Sequence, residues 1–162
     1  TVKQPGVTQA EFGAVPKNSD FVVCLVIANE RTENLMNAAA FAQMKKSAFF
    51  LNLSRGNLVD EAALAAALDR KQIAGAAMDV GRAQDQKPSL ALAKRADVIA
   101  TPHTAGLTPE AAEHQAFDTV NQVKELIAGR MPTGAANPDH AHRLSRTHPG
   151  SQVPLIRFES DT

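Results

Sequence analysis

The feature that most constrains this chain is a strand-length apolar run that stops at a polar corner and leads straight into a helix start. Residues 49–53 form the run, Ser54-Arg55-Gly56 ends it, and Asp60 opens an Ala/Leu-rich stretch. A strand, a corner and a helix in that order are the repeating unit of a parallel sheet with right-handed crossovers. In such a sheet, ligands collect at the carboxyl ends of the strands. An arginine at that point offers a planar fork of donors suited to a carboxylate. Gly56 is expected to allow a tight backbone turn beside it.

The same alternation extends in both directions. Residues 1–18 read as loop, with a short strand or loop around Val7 and a helical turn near 12–15. Residues 21–27 are continuously apolar and β-branched, the pattern of a strand covered on both faces. Residues 29–33 form a polar loop able to lie over a ligand. Asn37 is a helix cap for a segment reaching Met44, and strands are expected over 47–53, 73–80 and 98–100. Asp60 caps a helix with Leu64 and Leu68 one turn apart on its inner face. Residues 90–93 suggest a helical turn. Thr108-Pro109-Glu110 predicts a helix start, with Ala116, Val120, Val123 and Ile127 on one face and Gly129 as the stop. Residues 132–162 have no periodicity and read as an irregular tail. The sum is an α/β fold with a mostly parallel sheet, half of a doubly wound domain.

Composition narrows the function classes. The length of 162 residues suits one domain. Lys and Arg balance Asp and Glu at 17 each, so no basic field argues for nucleic acid. No run is long and apolar enough for a membrane-spanning helix, and no signal peptide is visible. The single Cys24 lies in an apolar run and is expected to be a buried small hydrophobe, which fits a cytoplasmic protein. The chain begins at Thr1, in what reads as the middle of a sheet domain, so a portion of a longer protein is expected. Four strands alone would leave a sheet edge bare.

Polar groups follow three strands in turn. Arg55 follows the second, Asp79 ends the third, and His103 follows the fourth, between Pro102 and Thr104. They supply an anion clamp, a hydrogen-bond acceptor and an acid/base at one rim. Asp79 would either brace a loop or accept a hydrogen bond from a ligand. Asp139, His140 and His142 cluster in the tail, where a solvated segment is expected rather than a metal site. No Gly-x-Gly-x-x-Gly phosphate loop occurs in these residues.

Three segments together resemble the signature segments of the D-isomer-specific 2-hydroxyacid dehydrogenases. They are Leu53-Ser54-Arg55-Gly56-Asn57-Leu58-Val59-Asp60, Gly75-Ala76-Ala77-Met78-Asp79-Val80 and Thr101-Pro102-His103-Thr104-Ala105-Gly106. The resemblance covers roughly residues 15–130. It implies the later part of a doubly wound, Rossmann-like sheet lacking the glycine-rich first βαβ unit. Residues 1–131 would be a partial dinucleotide-binding domain and 132–162 the tail. It also implies hydride transfer between NAD or NADP and a small 2-keto or 2-hydroxy acid, in a cytoplasmic homo-oligomer. Arg55 would bind the substrate carboxylate and carbonyl, and His103 would give the proton. Asp79 would hold the nicotinamide carboxamide. Val26, Leu53, Ser54 and Gly106 would line the cofactor pocket together with Arg55 and His103.

The family pairs its histidine with a glutamate in the loop after the third strand. By spacing, that position is Gln84 here, with Asp85 beside it. A carboxylate stabilises an imidazolium and a carboxamide does not. Asp85 is therefore taken as the catalytic partner, with a non-carboxylate partner such as Gln84 as the alternative. A non-catalytic NAD(H)-binding, corepressor-like module and an inactive truncated chain are the competing readings.

Overall fold

The computed structural model describes residues 5–135. The chain divides into two compact units, Thr1–Gly106 and Leu107–Thr162.

In the first unit, a short helix α1 (Ala14–Asn18) precedes β1 (Phe21–Cys24). Next come α2 (Ala38–Ala42), β2 (Phe49–Asn52), α3 (Glu61–Asp69), β3 (Gly75–Met78), α4 (Leu90–Ala93) and β4 (Val98–Ala100). All pairings are parallel and the spatial order is β1-β2-β3-β4. The caps explain the helix starts. Asn37 Oδ1 accepts from the Ala39 and Ala40 amides, and Asp60 Oδ1 accepts from Ala63 N at 3.0 Å.

One face of the sheet builds the core. Val22, Cys24, Phe50, Ala76, Met78 and Val98 point inward, against Phe41 of α2 and Leu64 and Leu68 of α3. Phe41 and Phe50 meet edge-to-face with ring centroids 5.3 Å apart. Cys24 is a free, buried thiol, and burial raises its pKa.

Strand 21–27, expected to be covered on both faces, corrects in two ways. It ends at Cys24, and its burial alternates. Phe21 is 64% exposed and Ile99 of β4 is 71% exposed. Phe21 stacks on Phe49 at 5.7 Å, but no layer in the described residues buries that face. A continuous apolar run therefore marks strand character here without marking two covering layers.

In the second unit, α5 (Pro109–Ile127) begins at an N-cap Thr108 whose hydroxyl accepts from Ala111 N. Gly129 adopts φ +71°, its amide bonds Leu126 O, and Arg130 N bonds Glu125 O. That pair of bonds is the glycine-terminated C-cap expected from the sequence. Val120, Val123 and Ile127 form its apolar face and all are exposed.

Candidate functional site

Parallel register delivers the strand ends to one rim. Asn52, Met78 and Ala100 are register partners across β2, β3 and β4. Backbone bonds continue the alignment just past the strands: Leu53 N to Cys24 O, Asp79 N to Asn52 O, and Thr101 N to Met78 O. Val26, Leu53, Arg55, Asp79 and His103 thus leave the sheet at the same edge.

A buried amide holds the arginine corner in shape. Asn52 is fully buried; its Nδ2 donates to Arg55 O at 2.9 Å and its Oδ1 accepts from Ser54 N at 3.2 Å. The Ser54 hydroxyl donates to Val26 O at 2.6 Å, tying this corner to the loop after β1. Arg55 itself is exposed, donates through Nη1 to Ser54 O, and pairs with no carboxylate among the described residues. Its guanidinium is available to an incoming anion.

Gly56 departs from its expected role. It lies in a 3-10 turn without positive φ. Its glycine is required by contact instead: a Cβ there would sit 2.0 Å from Gly81 O and 2.1 Å from Gly81 C. Two backbones touch where the corner after β2 meets the loop after β3. Beside that contact lies a cleft of about 410 Å³ lined by Ala28, Arg55, Asn57, Arg82, Ala83 and Gln86.

Asp79 is buried and acts as a hub. Oδ1 accepts from the Thr101 hydroxyl and from Thr104 N at 2.9 Å, and Oδ2 accepts from Ala105 N at 3.1 Å. Burial by itself raises this carboxyl's pKa. The three donors and nearby His103 outweigh it and hold the group below the usual carboxylate range. An anionic Asp79 therefore braces the loop that carries His103. His103 has φ +60° and a backbone bond from its N to Thr101 O at 3.0 Å. A left-handed conformation is uncommon for a residue with a Cβ, and the surrounding bonds hold it. Oδ2 keeps acceptor capacity beyond Ala105 N, which suits one amide N–H of a carboxamide.

Asp85 and Gln84 lie in the exposed loop after β3. Asp85 has φ +64°, and its carboxylate is 3.5 Å from Lys87 Nζ. His103 has no ion-pair partner among the described residues. Gly106 is exposed, and a Cβ on it would meet nothing within 4 Å. No group of three or more potential metal ligands occurs among the described residues; Asp139, His140 and His142 lie outside them.

Sequence reasoning passed over Arg82. Its Nε donates to Val59 O, and its Nη2 donates to Glu33 Oε1, Asn34 Oδ1 and Asn57 O. The signals in the sequence were slight: a charged residue after Gly81, and a buried-face position for Asn52 in β2.

Residues 1–105 match the family described as D-isomer specific 2-hydroxyacid dehydrogenase, NAD binding domain. The chain is 35% identical over 134 residues to a D-3-phosphoglycerate dehydrogenase of Synechocystis sp., covering 83% of this chain and 24% of that protein. It is 34% identical over 122 residues to glyoxylate/hydroxypyruvate reductase B of Escherichia coli, covering 75% and 38%. Among solved structures it resembles a D-isomer specific 2-hydroxyacid dehydrogenase from Xanthobacter autotrophicus Py2 in complex with NADPH and MES. The TM-score is 0.65 at 32% identity, covering 79% of this chain and 52% of that one. D-lactate dehydrogenase with NAD+ from Lactobacillus jensenii gives a TM-score of 0.66 at 29% identity, covering 82% and 45%. The chain spans about a quarter to a half of the length of these relatives. By its match over residues 1–105 and its parallel sheet of Rossmann-like topology, this chain belongs to the D-isomer specific 2-hydroxyacid dehydrogenase family, within the NAD binding domain.

Proposed function

We propose that this chain contributes the substrate-facing rim of an NAD(P)-dependent dehydrogenase acting on a small 2-keto or 2-hydroxy acid. The observation that carries this reading is the rim itself: an arginine that pairs with no carboxylate among the described residues and a histidine whose loop is braced by a buried carboxylate leave the same sheet edge. Residues 1–131 serve as a partial dinucleotide-binding domain, and no glycine-rich phosphate loop lies within them. When bound, the nicotinamide supplies the hydride.

The chain's own residues do the rest. Arg55 binds the substrate carboxylate and carbonyl through charge-assisted hydrogen bonds. His103 donates the proton that the carbonyl oxygen needs as it becomes a hydroxyl. Asp79 holds the ring's carboxamide through the spare acceptor capacity of Oδ2 and keeps the His103 loop in place. Val26 and Leu53, 40% and 44% exposed, offer apolar surface for the ring, with the Ser54 and Gly106 backbones alongside. By analogy with the family the protein is a cytoplasmic homo-oligomer. No helix among the described residues is long and apolar enough to cross a membrane.

One observation favours a second reading. Asp85 sits against Lys87, and no carboxylate pairs with His103 among the described residues. A histidine without an acidic partner suits an NAD(H)-binding regulatory module, in which dinucleotide binds without turnover. Oxidation of NADH and NADPH against glyoxylate, hydroxypyruvate and pyruvate separates the two. Turnover that Arg55→Ala impairs by raising KM and lowering kcat supports the dehydrogenase. Binding of NADH with no turnover of any keto acid overturns it in favour of the module.

A further inference from the structure

We infer that Arg82 is a positioning residue for the Arg55 corner, joining the loops after β1, β2 and β3 into one rigid wall. From the loop after β3, its guanidinium reaches two other segments, 33–34 and 57–59. Nε donates to Val59 O at 2.9 Å, and Nη2 donates to Asn57 O at 2.9 Å and Glu33 Oε1 at 2.8 Å. Nη2 also donates to Asn34 Oδ1, while the Arg82 backbone N donates to Glu61 Oε1 at 2.8 Å. Asn57 Nδ2 closes the cluster on Glu33 Oε2 at 2.9 Å.

The contacts fix backbone that has no regular element to hold it. Asn34 takes φ +51°, and its amide bonds Asn57 O; Met36 N bonds Leu58 O, and Asp60 N bonds Met36 O. The segment 34–36 thus runs as a single parallel pairing against 57–60. Those residues are the turn that begins at Arg55, where Leu58 N bonds Arg55 O and Val59 N bonds Gly56 O. Arg82 and Arg55 line the same cleft. Only a planar, multi-donor group can serve carbonyls on two segments and a carboxylate at once; a lysine ammonium at the end of a flexible stem cannot. Arg82 therefore sets where the Arg55 fork stands rather than gripping the substrate itself.

The consequence for substrate rests on the dehydrogenase reading above; the consequence for the corner does not. Amide exchange in Arg82→Ala is expected to speed up about tenfold at Asn34, Met36, Leu58 and Val59, the factor one charge-assisted hydrogen bond is worth. Core amides of Phe50 and Met78 stay at the wild-type rate. Arg82→Lys is expected to recover little of the protection. Glu33→Gln, which keeps an amide acceptor, is the milder variant and is expected to show the same amides accelerated to a smaller degree. In NADH-coupled turnover of glyoxylate, Arg82→Ala raises KM about tenfold with kcat within about twofold of wild type. Unchanged exchange at Leu58 and Val59 overturns the positioning role. Faster exchange with an unchanged KM overturns its link to substrate. Absence of turnover in the wild type overturns the dehydrogenase reading instead, and leaves the exchange rates to decide the role of Arg82.

Discussion

Replacing Gly56 by alanine adds one methyl group at the tightest contact in the site. Its Cβ would meet Gly81 O at 2.0 Å, Gly81 C at 2.1 Å and Gly81 Cα at 2.7 Å. A comfortable carbon contact is about 3.5 Å, so the two backbones must part by more than about 1 Å. Neither side can move freely. Gly81 is enclosed, because a Cβ on it would lie 2.4 Å from Pro88 Cα and 2.6 Å from Lys87 O. Gly81 N bonds Gln86 O at 2.8 Å, and Arg82 N is held by Glu61. On the other side, Asn52 fixes Arg55 O. Overpacking against backbone that cannot relax puts the cost on the order of 3 kcal/mol, at the upper end of the usual range. For a unit of this size that lowers Tm by on the order of 15 °C. Urea unfolding followed by circular dichroism measures it, with an unchanged m-value showing that the two states are otherwise alike. Gly106→Ala, where nothing lies within 4 Å, is the control and is expected to change stability by less than about 0.5 kcal/mol. A Gly56→Ala protein as stable as that control would refute the close-approach explanation.

Three further outcomes follow from the same contacts. Asn52→Ala leaves Ser54 N without its acceptor and Arg55 O with only the longer bond from Leu58 N, and should cost about 1–3 kcal/mol, read by the same urea titration. Glu33 is held below its ordinary pKa chiefly by the Arg82 hydrogen bond, then by Asn57. Its contribution is therefore complete above the ordinary carboxylate pKa and disappears as pH falls through the lowered folded value. Carbon-detected NMR titration should show the Glu33 midpoint rising toward the ordinary carboxylate range in Arg82→Ala; an unmoved midpoint contradicts the pairing. Asp79→Asn turns one carboxylate oxygen into an N–H donor facing amide and hydroxyl donors. Amide exchange at Thr104 and Ala105 should accelerate, and unaltered protection there would show that Asp79 does not brace the His103 loop.

What could be read in the sequence was local. Asn37, Asp60 and Thr108 cap helices because each needs only amides two or three residues ahead. The order of strands and the shared rim followed from strand–corner–helix alternation, and so did the placement of Arg55, Asp79 and His103. Arg82 was not legible, since its acceptors Val59 and Glu33 lie 23 and 49 residues away in sequence. Gly56 was recognised as special for the wrong reason: a sequence does not reveal which distant backbone presses on a glycine. The exposed face carrying Phe21 and Ile99 was misread because apolar continuity is the same whether or not a second layer lies in the same residues. Asp85 turns on loop conformation, and a residue at φ +64° points where no spacing rule could have placed it.

The proposed division of labour at the rim is tested most directly by following an isotope. With NADH carrying deuterium at C4 of the nicotinamide, the label is expected at C2 of the glycolate formed from glyoxylate. Replacing His103 by alanine should slow that transfer by about 10²–10⁴-fold while leaving KM for glyoxylate near the wild-type value. Label appearing at C2 at an undiminished rate without the imidazole would contradict the assignment of His103 as proton donor, and no label at C2 in the wild type would contradict the hydride transfer itself.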